Sequence, residues 1–330
     1  MTHPVRRRHA AAAVLLSLSL VFAACGSDDD DSAADPSADE TTETRSVEAD
    51  NGTVAVPAEP QKVATIGNTT LPYIDLGGTP IGVTEEAESD IARLPEDQQE
   101  TYGSATVLAA SADEVDMEEL AGLAPDLILV QIPDEEFASI EEELGAIAPT
   151  VFFGLDTEWK DLADGIAEAV DTTDALDELK AQLEEQVSSI QETYAEIIDG
   201  TSFVDVTRYD SSDPGTFNIA DIGCSEIARD EVGMDFPQAA EGEDPLAYTA
   251  LSFEQIGELD TYDVITYPVD AEGEPIEPFA PVVETNTWNE LPAVTSGRAL
   301  GVFCPGNGSY GPVLQYLDSL DRALATLPEG

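Results

Sequence analysis

The stretch "TDALDELKAQLEEQVSSIQETYAEII" (residues 173–198) decides the fold. Leu176, Leu179, Leu183, Val187, Ile190, Tyr194 and Ile197 recur at intervals of three and four, and Asp199-Gly200 closes the run. That period places them on one face of a helix. About 25 residues at 1.5 Å each make a rod of roughly 38 Å, long enough to join two lobes. A coiled-coil dimer is the alternative, but the repeat lasts under four heptads and only one face is apolar.

On both sides of this helix short apolar runs alternate with amphipathic ones. Upstream, "KVATIG" (62–67), "PIGVT" (80–84), "DLILVQ" (126–131) and "TVFFG" (150–154) read as strands. Between them, "NTTLPYIDLGG", "DEVDMEELAGLAP" and "EEFASIEEELGAIAP" read as helices, with a polar loop after the second strand. Downstream, "SFVDVTRY" and "TFNIAD" read as strands, with a hairpin expected at "DSSDPG". "CSEIARDEVG" and "SFEQIGEL" read as helices, "DVITYPV" and "ALGVFC" as strands, and "GPVLQYLDSLDRALATL" as a closing helix. The expected class is α/β: two lobes with mostly parallel sheets, joined by one long helix, with a ligand cleft between them. The boundaries expected are 47–170 for the first lobe, 171–199 for the linker helix and 200–330 for the second lobe.

The first 46 residues read differently. Arg6, Arg7 and Arg8 precede the apolar run "AAAVLLSLSLVFAA", and small residues lead to Cys25. This is an export signal, residues 1–24, too short for a membrane-spanning helix. Phe22-Ala23-Ala24-Cys25 resembles the bacterial lipobox, which makes Cys25 the lipidated N-terminus; cleavage near Ala24 with a free thiol is the alternative. The following residues 25–46, opening "CGSDDDDSAADPSADE", have almost nothing to bury and read as a disordered, self-repelling tether. The expected location is therefore outside the cell, lipid-anchored to the outer face of the plasma membrane.

Charge and composition exclude several function classes. Twelve Lys and Arg stand against 69 Asp and Glu. Without the three signal arginines the balance is 9 against 69, about −60, which opposes nucleic-acid binding. Both histidines, His3 and His9, lie in the signal. The remainder therefore lacks Ser-His-Asp and Cys-His catalysis and any histidine-held metal or haem. Cys224 and Cys304 form an even pair, which in an exported chain reads as a disulfide rather than as free thiols or a metal site. "GNGSYG" (306–311) satisfies G-x-G-x-x-G, but no strand with an acidic residue follows about 20 residues on, so it reads as a cleft loop and not a dinucleotide site.

From about Ser46 onward the chain resembles a family: the ABC-transporter solute-binding proteins for ferric siderophores, haem or cobalamin. The resemblance rests on "KVATIG…LPYIDLGGTPIGV", "DMEELAGLAPDLIL", "LSFEQIGELDTYDVIT" and "TWNELPAVTSGRALGV", in that order around the linker helix. It implies binding without catalysis, with no catalytic residues, no metal ligands and no resident cofactor. The implied ligand is a small iron chelate, and the implied partners are an ABC permease dimer and its ATPases, with the binding protein a monomer. A stiff helical connection implies little closure on binding.

The resemblance also implies roles for particular residues. Glu118 and Glu254, one per lobe, match positions that pair with permease arginines, the alternative being carboxylates favoured by a helix N-terminus. Arg208, after a strand in a cation-poor chain, is the leading ligand contact, against a structural salt bridge. Arg93 in the polar loop and Tyr73, Tyr209, Tyr267 and Tyr310 near strand ends or helix starts are further candidates. Trp288 matches the family's tryptophan near the cleft floor, with core packing as the alternative, while Trp159 reads as structural. The acidity favours a neutral or cationic hydroxamate-type ferric siderophore over anionic ones. Cobalamin or a tyrosine-ligated haem is the alternative within the class, and a secreted carboxylate-dependent hydrolase the alternative outside it.

Overall fold

A computed structural model describes residues 43–87, 91–110, 114–306 and 308–328. The signal, Cys25 and nearly all of the acidic tether lie outside these residues.

The first sheet holds five parallel strands: β3 (Val63–Gly67), β4 (Gly82–Thr84), β5 (Thr106–Ala109), β6 (Leu127–Gln131) and β7 (Thr150–Phe153), in spatial order β5-β4-β3-β6-β7. The second holds β8 (Phe203–Thr207), β9 (Thr216–Ala220), β10 (Leu251–Ser252), β11 (Val264–Val269) and β12 (Ala299–Phe303), in order β10-β9-β8-β11-β12. Here β8, β11 and β12 are parallel, and β9 runs against both of its neighbours. That reversal is the β8–β9 hairpin expected at "DSSDPG". The molecule is thus a two-lobe α/β protein with mostly parallel sheets.

Strand parity explains why the central strands read as uninterrupted apolar runs. In β6, Leu127 and Leu129 enter one core, while Ile128 and Val130 enter another on the opposite face. In β8, Phe203 faces the first core and Val204 and Val206 a third. Each sheet is covered on both faces, so alternation between apolar and polar residues has no place. The first core is continuous through both lobes, taking in Val63, Leu129 and Val151 from one sheet and Phe203, Leu300 and Val302 from the other.

Between the sheets lie helices α5 (Trp159–Val170), α6 (Thr173–Thr193) and α12 (Tyr310–Leu324), the labels following chain order after α1 (Thr70–Asp75), α2 (Glu96–Gly103), α3 (Met117–Leu123) and α4 (Asp134–Ile147). Helix α6 buries Leu176, Leu183 and Ile190, one every second turn, and packs on α5 and α12. The rod expected through Ile198 is shorter. At Tyr194 the backbone leaves the helical region (φ −113°, ψ 23°), and a separate short helix, α7 (Ala195–Gly200), follows. The Tyr194 hydroxyl donates to the Asp321 carbonyl of α12 at 3.0 Å, holding the break against the second lobe.

Two further expectations change. The tether does not reach residue 46: a hairpin of β1 (Thr44–Ala49) and β2 (Gly52–Pro57) sends Val47 and Val56 into the shared core. Arg45 fastens it, donating to the carbonyls of Ala58 at 3.3 Å and Ala169 at 2.8 Å, and also to that of Glu168. The polar loop after β4 contains α2 and β5. Helix α2 buries none of its residues, so it carries no apolar period to find.

Candidate functional site

The C-terminal ends of the strands in both sheets open onto one cavity of about 970 Å³. Asn68 follows β3, Gln131 ends β6, and Leu155 and Thr157 follow β7; Thr207, Arg208 and Tyr209 come from the end of β8, Pro268 from β11 and Cys304 from the end of β12. A crevice beyond the carboxyl ends of parallel strands is where open α/β sheets place ligands, and this volume lies within the range of small-molecule pockets.

The turn that opens the cavity after β3 requires glycine. Gly67 has φ +68°, and a Cβ there would stand 2.0 Å from the Gln131 carbonyl oxygen, a backbone atom that cannot yield. Its N–H donates to the Thr84 hydroxyl at 2.9 Å, and the Gln131 side chain donates to the Gly154 carbonyl at 3.1 Å.

Of the residues expected to contact ligand, Arg208, Tyr209 and Arg93 line the cavity. Arg208 meets neither alternative weighed for it in full: its guanidinium donates to three backbone carbonyls, Thr216 at 3.1 Å, Pro278 at 2.8 Å and Ser212 at 3.3 Å. It fastens the β8–β9 loop to the segment before α9 (Ala280–Val283) while remaining part of the lining. Tyr209 is 41% exposed on that loop, and Leu155, 52% exposed, lies on the other lobe. These are two of the four large apolar side chains that stand most open among the described residues.

Tyr73, Tyr267, Trp288 and Tyr310 do not line the cavity. Tyr73 is in the shared core, where its ring fills the space beside Gly78. Tyr310 is 2% exposed and meets Trp159 edge to face, ring centres 4.9 Å apart. Tyr267, Phe279 and Trp288 form an aromatic cluster with centroids 5.7 Å apart on the outer face of the second sheet. The parity of β11 explains it. Val264 faces the shared core, Ile265 the outer one, Thr266 the cavity and Tyr267 the outer cluster again. The two tryptophans therefore exchange roles: Trp288 is core, and Trp159, read as structural, lines the cavity.

One carboxylate of the cavity wall is a residue that the sequence reading passed over: half-buried Asp205. Asp205 projects from β8 on the same side as Phe203, into a recess lined by Thr266, Val302 and Tyr316. The Thr266 hydroxyl donates to its Oδ1 at 2.8 Å. Burial pushes the carboxyl up to about 7, against the lowering effect of that hydrogen bond and of the Val206 N–H. Burial likewise raises the Tyr209 and Tyr316 hydroxyls, with the charge of Asp205 adding to both. A polar residue inside an apolar strand ("FVDVT") was the available signal, as was Gln131 at the end of "LILVQ".

Two links bound the site. Cys224 and Cys304 form a disulfide that joins α8 (Cys224–Ile227) to the end of β12 across 80 residues of sequence. Asp75, at the end of α1 in the first lobe, caps the start of α12 in the second: its Oδ2 accepts from Gly311 N at 2.8 Å and its Oδ1 from Gln98 at 3.0 Å. Burial nonetheless raises the Asp75 carboxyl. The final glycine of "GNGSYG" thus serves an approach between lobes, since a Cβ at Gly311 would lie 2.4 Å from Asp75 Oδ1.

Glu118 and Glu254 are exposed in the first turns of α3 and of the 3₁₀ helix Phe253–Thr261. The Asp116 side chain accepts from the N–H groups of Glu118 and Glu119, both at 3.0 Å, leaving the Glu118 carboxylate outside the cap. At the other start, Gln255 accepts from the Ser252 N–H at 3.0 Å. Each glutamate follows the C-terminal end of a strand, β5 for one and β10 for the other, on the cavity side of its sheet.

The chain matches known proteins over most of this architecture. The family model of the periplasmic binding proteins covers residues 73–300. A comparison with curated proteins gives no match. Among solved structures, the siderophore periplasmic binding protein from the fuscachelin gene cluster of Thermobifida fusca is 27% identical, with a TM-score of 0.70 over 82% of this chain and 98% of that one. SirA of Staphylococcus aureus, complexed with staphyloferrin B, is 20% identical, with a TM-score of 0.63 over 86% and 99%. The periplasmic catecholate-siderophore binding protein VctP of Vibrio cholerae is 18% identical, with a TM-score of 0.60 over 86% and 99%. At these last two identities the likeness shows the fold alone. With two lobes, a cavity at their facing strand ends and a family match across both sheets, the chain belongs to the periplasmic binding protein family.

Proposed function

We propose that the protein is the extracytoplasmic solute-binding component of an ABC importer and takes a ferric siderophore into the cavity between its lobes. The observation that carries this reading is the cavity itself: about 970 Å³ at the facing strand ends, with Tyr209 and Leu155 presented openly from opposite lobes. An apolar platform on each side suits a bulky chelate that brings its own iron ligands. The Thermobifida fusca protein, named for siderophore binding, supports the ligand class. Family membership favours binding over hydrolysis.

The finer assignments follow from the same reading. Arg208, Tyr209 and Arg93 contact the ligand, and the acids Glu86, Asp205, Asp210 and Glu226 in the lining favour a neutral or cationic hydroxamate chelate over an anionic one. Glu118 and Glu254 dock on arginines of the permease, setting register and on-rate. Cys25 carries the lipid anchor, and the protein acts as a monomer.

Calorimetric titration of the full chain, purified in detergent, with ferric hydroxamates, ferric catecholates, cobalamin and haem tests the reading. Saturable binding of a ferric hydroxamate in preference to the others is expected. Binding of cobalamin or haem alone would replace the siderophore assignment within the same transporter class. Binding of none by a folded protein would overturn it.

A further inference from the structure

We propose that the recess at Asp205 is a charge-selecting subsite, in which this carboxylate pairs with an ammonium or guanidinium group carried by the iron chelate beside its metal centre. The proposal rests on the siderophore reading and names the part of the ligand that the reading leaves open.

The geometry has three parts. Asp205 is built into the middle of β8, between the apolar residues Val204 and Val206, so its position is set by the sheet and not by a loop. One carboxylate oxygen accepts from the Thr266 hydroxyl at 2.8 Å, which restrains the group. The residue lines the cavity together with Thr266 and Tyr316, so the carboxylate opens onto space that the ligand would occupy. A half-buried carboxylate that accepts from a neutral hydroxyl, and that takes part in no ion pair among the described residues, is the arrangement that gains most from an incoming cation.

The charged and titratable groups around it are consistent with that role. On its own hairpin, the Arg208 guanidinium is turned to the carbonyls of Thr216, Pro278 and Ser212, and Tyr209 stands at the rim. Helix α12 contributes the Tyr316 hydroxyl, and β11 contributes Thr266, which does not titrate. From the first lobe come Glu86 and Arg93, from α8 of the second lobe Glu226 and from the β8–β9 loop Asp210, and beyond β9 lies Asp221, whose carboxylate is taken up by the N–H groups of Ala239, Leu246 and Ala247. Burial holds the Asp205 carboxyl near 7, so it ionises within the working range and a bound cation would draw the proton off.

A matched pair of chelates tests this: ferrioxamine B, whose ferric hydroxamate centre carries a pendant ammonium, and its N-acetylated form, which is neutral. Affinities are measured for the full chain and for Asp205→Asn between pH 5.5 and 8, with Glu158→Gln, an exposed acid outside the lining, as a control for the general field. The proposal expects ferrioxamine B to bind at least about tenfold more tightly than the acetylated form at pH 8, an advantage that shrinks towards pH 5.5. Asp205→Asn should remove both the preference and its pH dependence, and Glu158→Gln should keep them. Equal binding of the two chelates by the unaltered protein, or a preference that survives Asp205→Asn, would overturn the subsite while leaving the siderophore reading intact. Tighter binding at low pH, lost in Asp205→Asn, would show a protonated carboxyl donating to the ligand and would overturn the proposed cation pair. Binding of neither chelate would remove the hydroxamate reading and the subsite with it.

Discussion

The Arg208 guanidinium has two tasks that single substitutions can separate. It satisfies three backbone carbonyls that face one another across the β8–β9 loop, and it presents its remaining N–H groups at the cavity wall. Arg208→Ala leaves those carbonyls without their donor and should cost about 1–3 kcal/mol in urea unfolding. Arg208→Lys should recover little of this, because an ammonium cannot span three acceptors set in a planar fork. Stability unchanged in both variants would refute the fastening role. The same scale shows how the sequence misled. Tyr73, Tyr267 and Tyr310 sit near strand ends or helix starts, yet each turns its ring into a core. Proximity to a strand end does not fix the face; parity does, and it distinguishes cavity-facing Thr266 from core-facing Tyr267.

At the scale of elements, the start of α12 is one place where polar groups join the two lobes. The Asp75 carboxylate reaches the Gly311 N–H at 2.8 Å only because Gly311 has no side chain. Gly311→Ala should therefore displace the carboxylate and lower stability by about 1–3 kcal/mol, despite the better helix propensity of alanine. Asp75→Ala should also destabilise, but the double variant should cost less than the sum of the two, since the clash is gone once the carboxyl is removed. Additive costs would show that the two residues do not act on one another. Elements were legible where burial imposed a pattern: "DLILVQ" through its length and α6 through its period. The β1–β2 hairpin was not, because its short strands adjoin an acidic segment and only Val47, Val56 and Pro57 are fully covered. The break at Tyr194 was hidden too, because Tyr194 and Ile197 continue the helical spacing across it.

For the whole molecule, the pH dependence of stability has a defined sign. Asp205 titrates at about 7 in the folded chain, against a value near 4 when unfolded. Between these values the folded state holds the extra proton, so this residue makes stability fall as pH rises from about 4 to about 7. Asp75 and Glu226, also raised, act in the same direction. Asp221 and Asp263, held low, act oppositely: the stability they add is present above the ordinary carboxylate range and is lost as pH falls through their folded values. Between pH 5 and 8 the Asp205 contribution should dominate. Asp205→Asn should flatten the decline between pH 5 and 8, by at most about 3 kcal/mol, as read from denaturant midpoints at the two pH values. A decline of equal size in the variant would place its origin elsewhere. Added salt should raise stability at pH 8, since a net charge of about −60 repels itself and is screened within about 10 Å at 0.1 M.

The central claim is that an iron chelate binds between the lobes, and the two tryptophans allow it to be located as well as detected. Trp159 lines the cavity, while Trp288 is 3% exposed in the core of the second lobe. The most direct measurement is fluorescence quenching during titration with a ferric hydroxamate, comparing the unaltered chain with Trp159→Phe and Trp288→Phe. The account predicts saturable quenching that persists in Trp288→Phe and is largely lost in Trp159→Phe, with affinity retained in both by calorimetry. Quenching that follows Trp288 instead, or saturable binding that leaves Trp159 untouched, would contradict it.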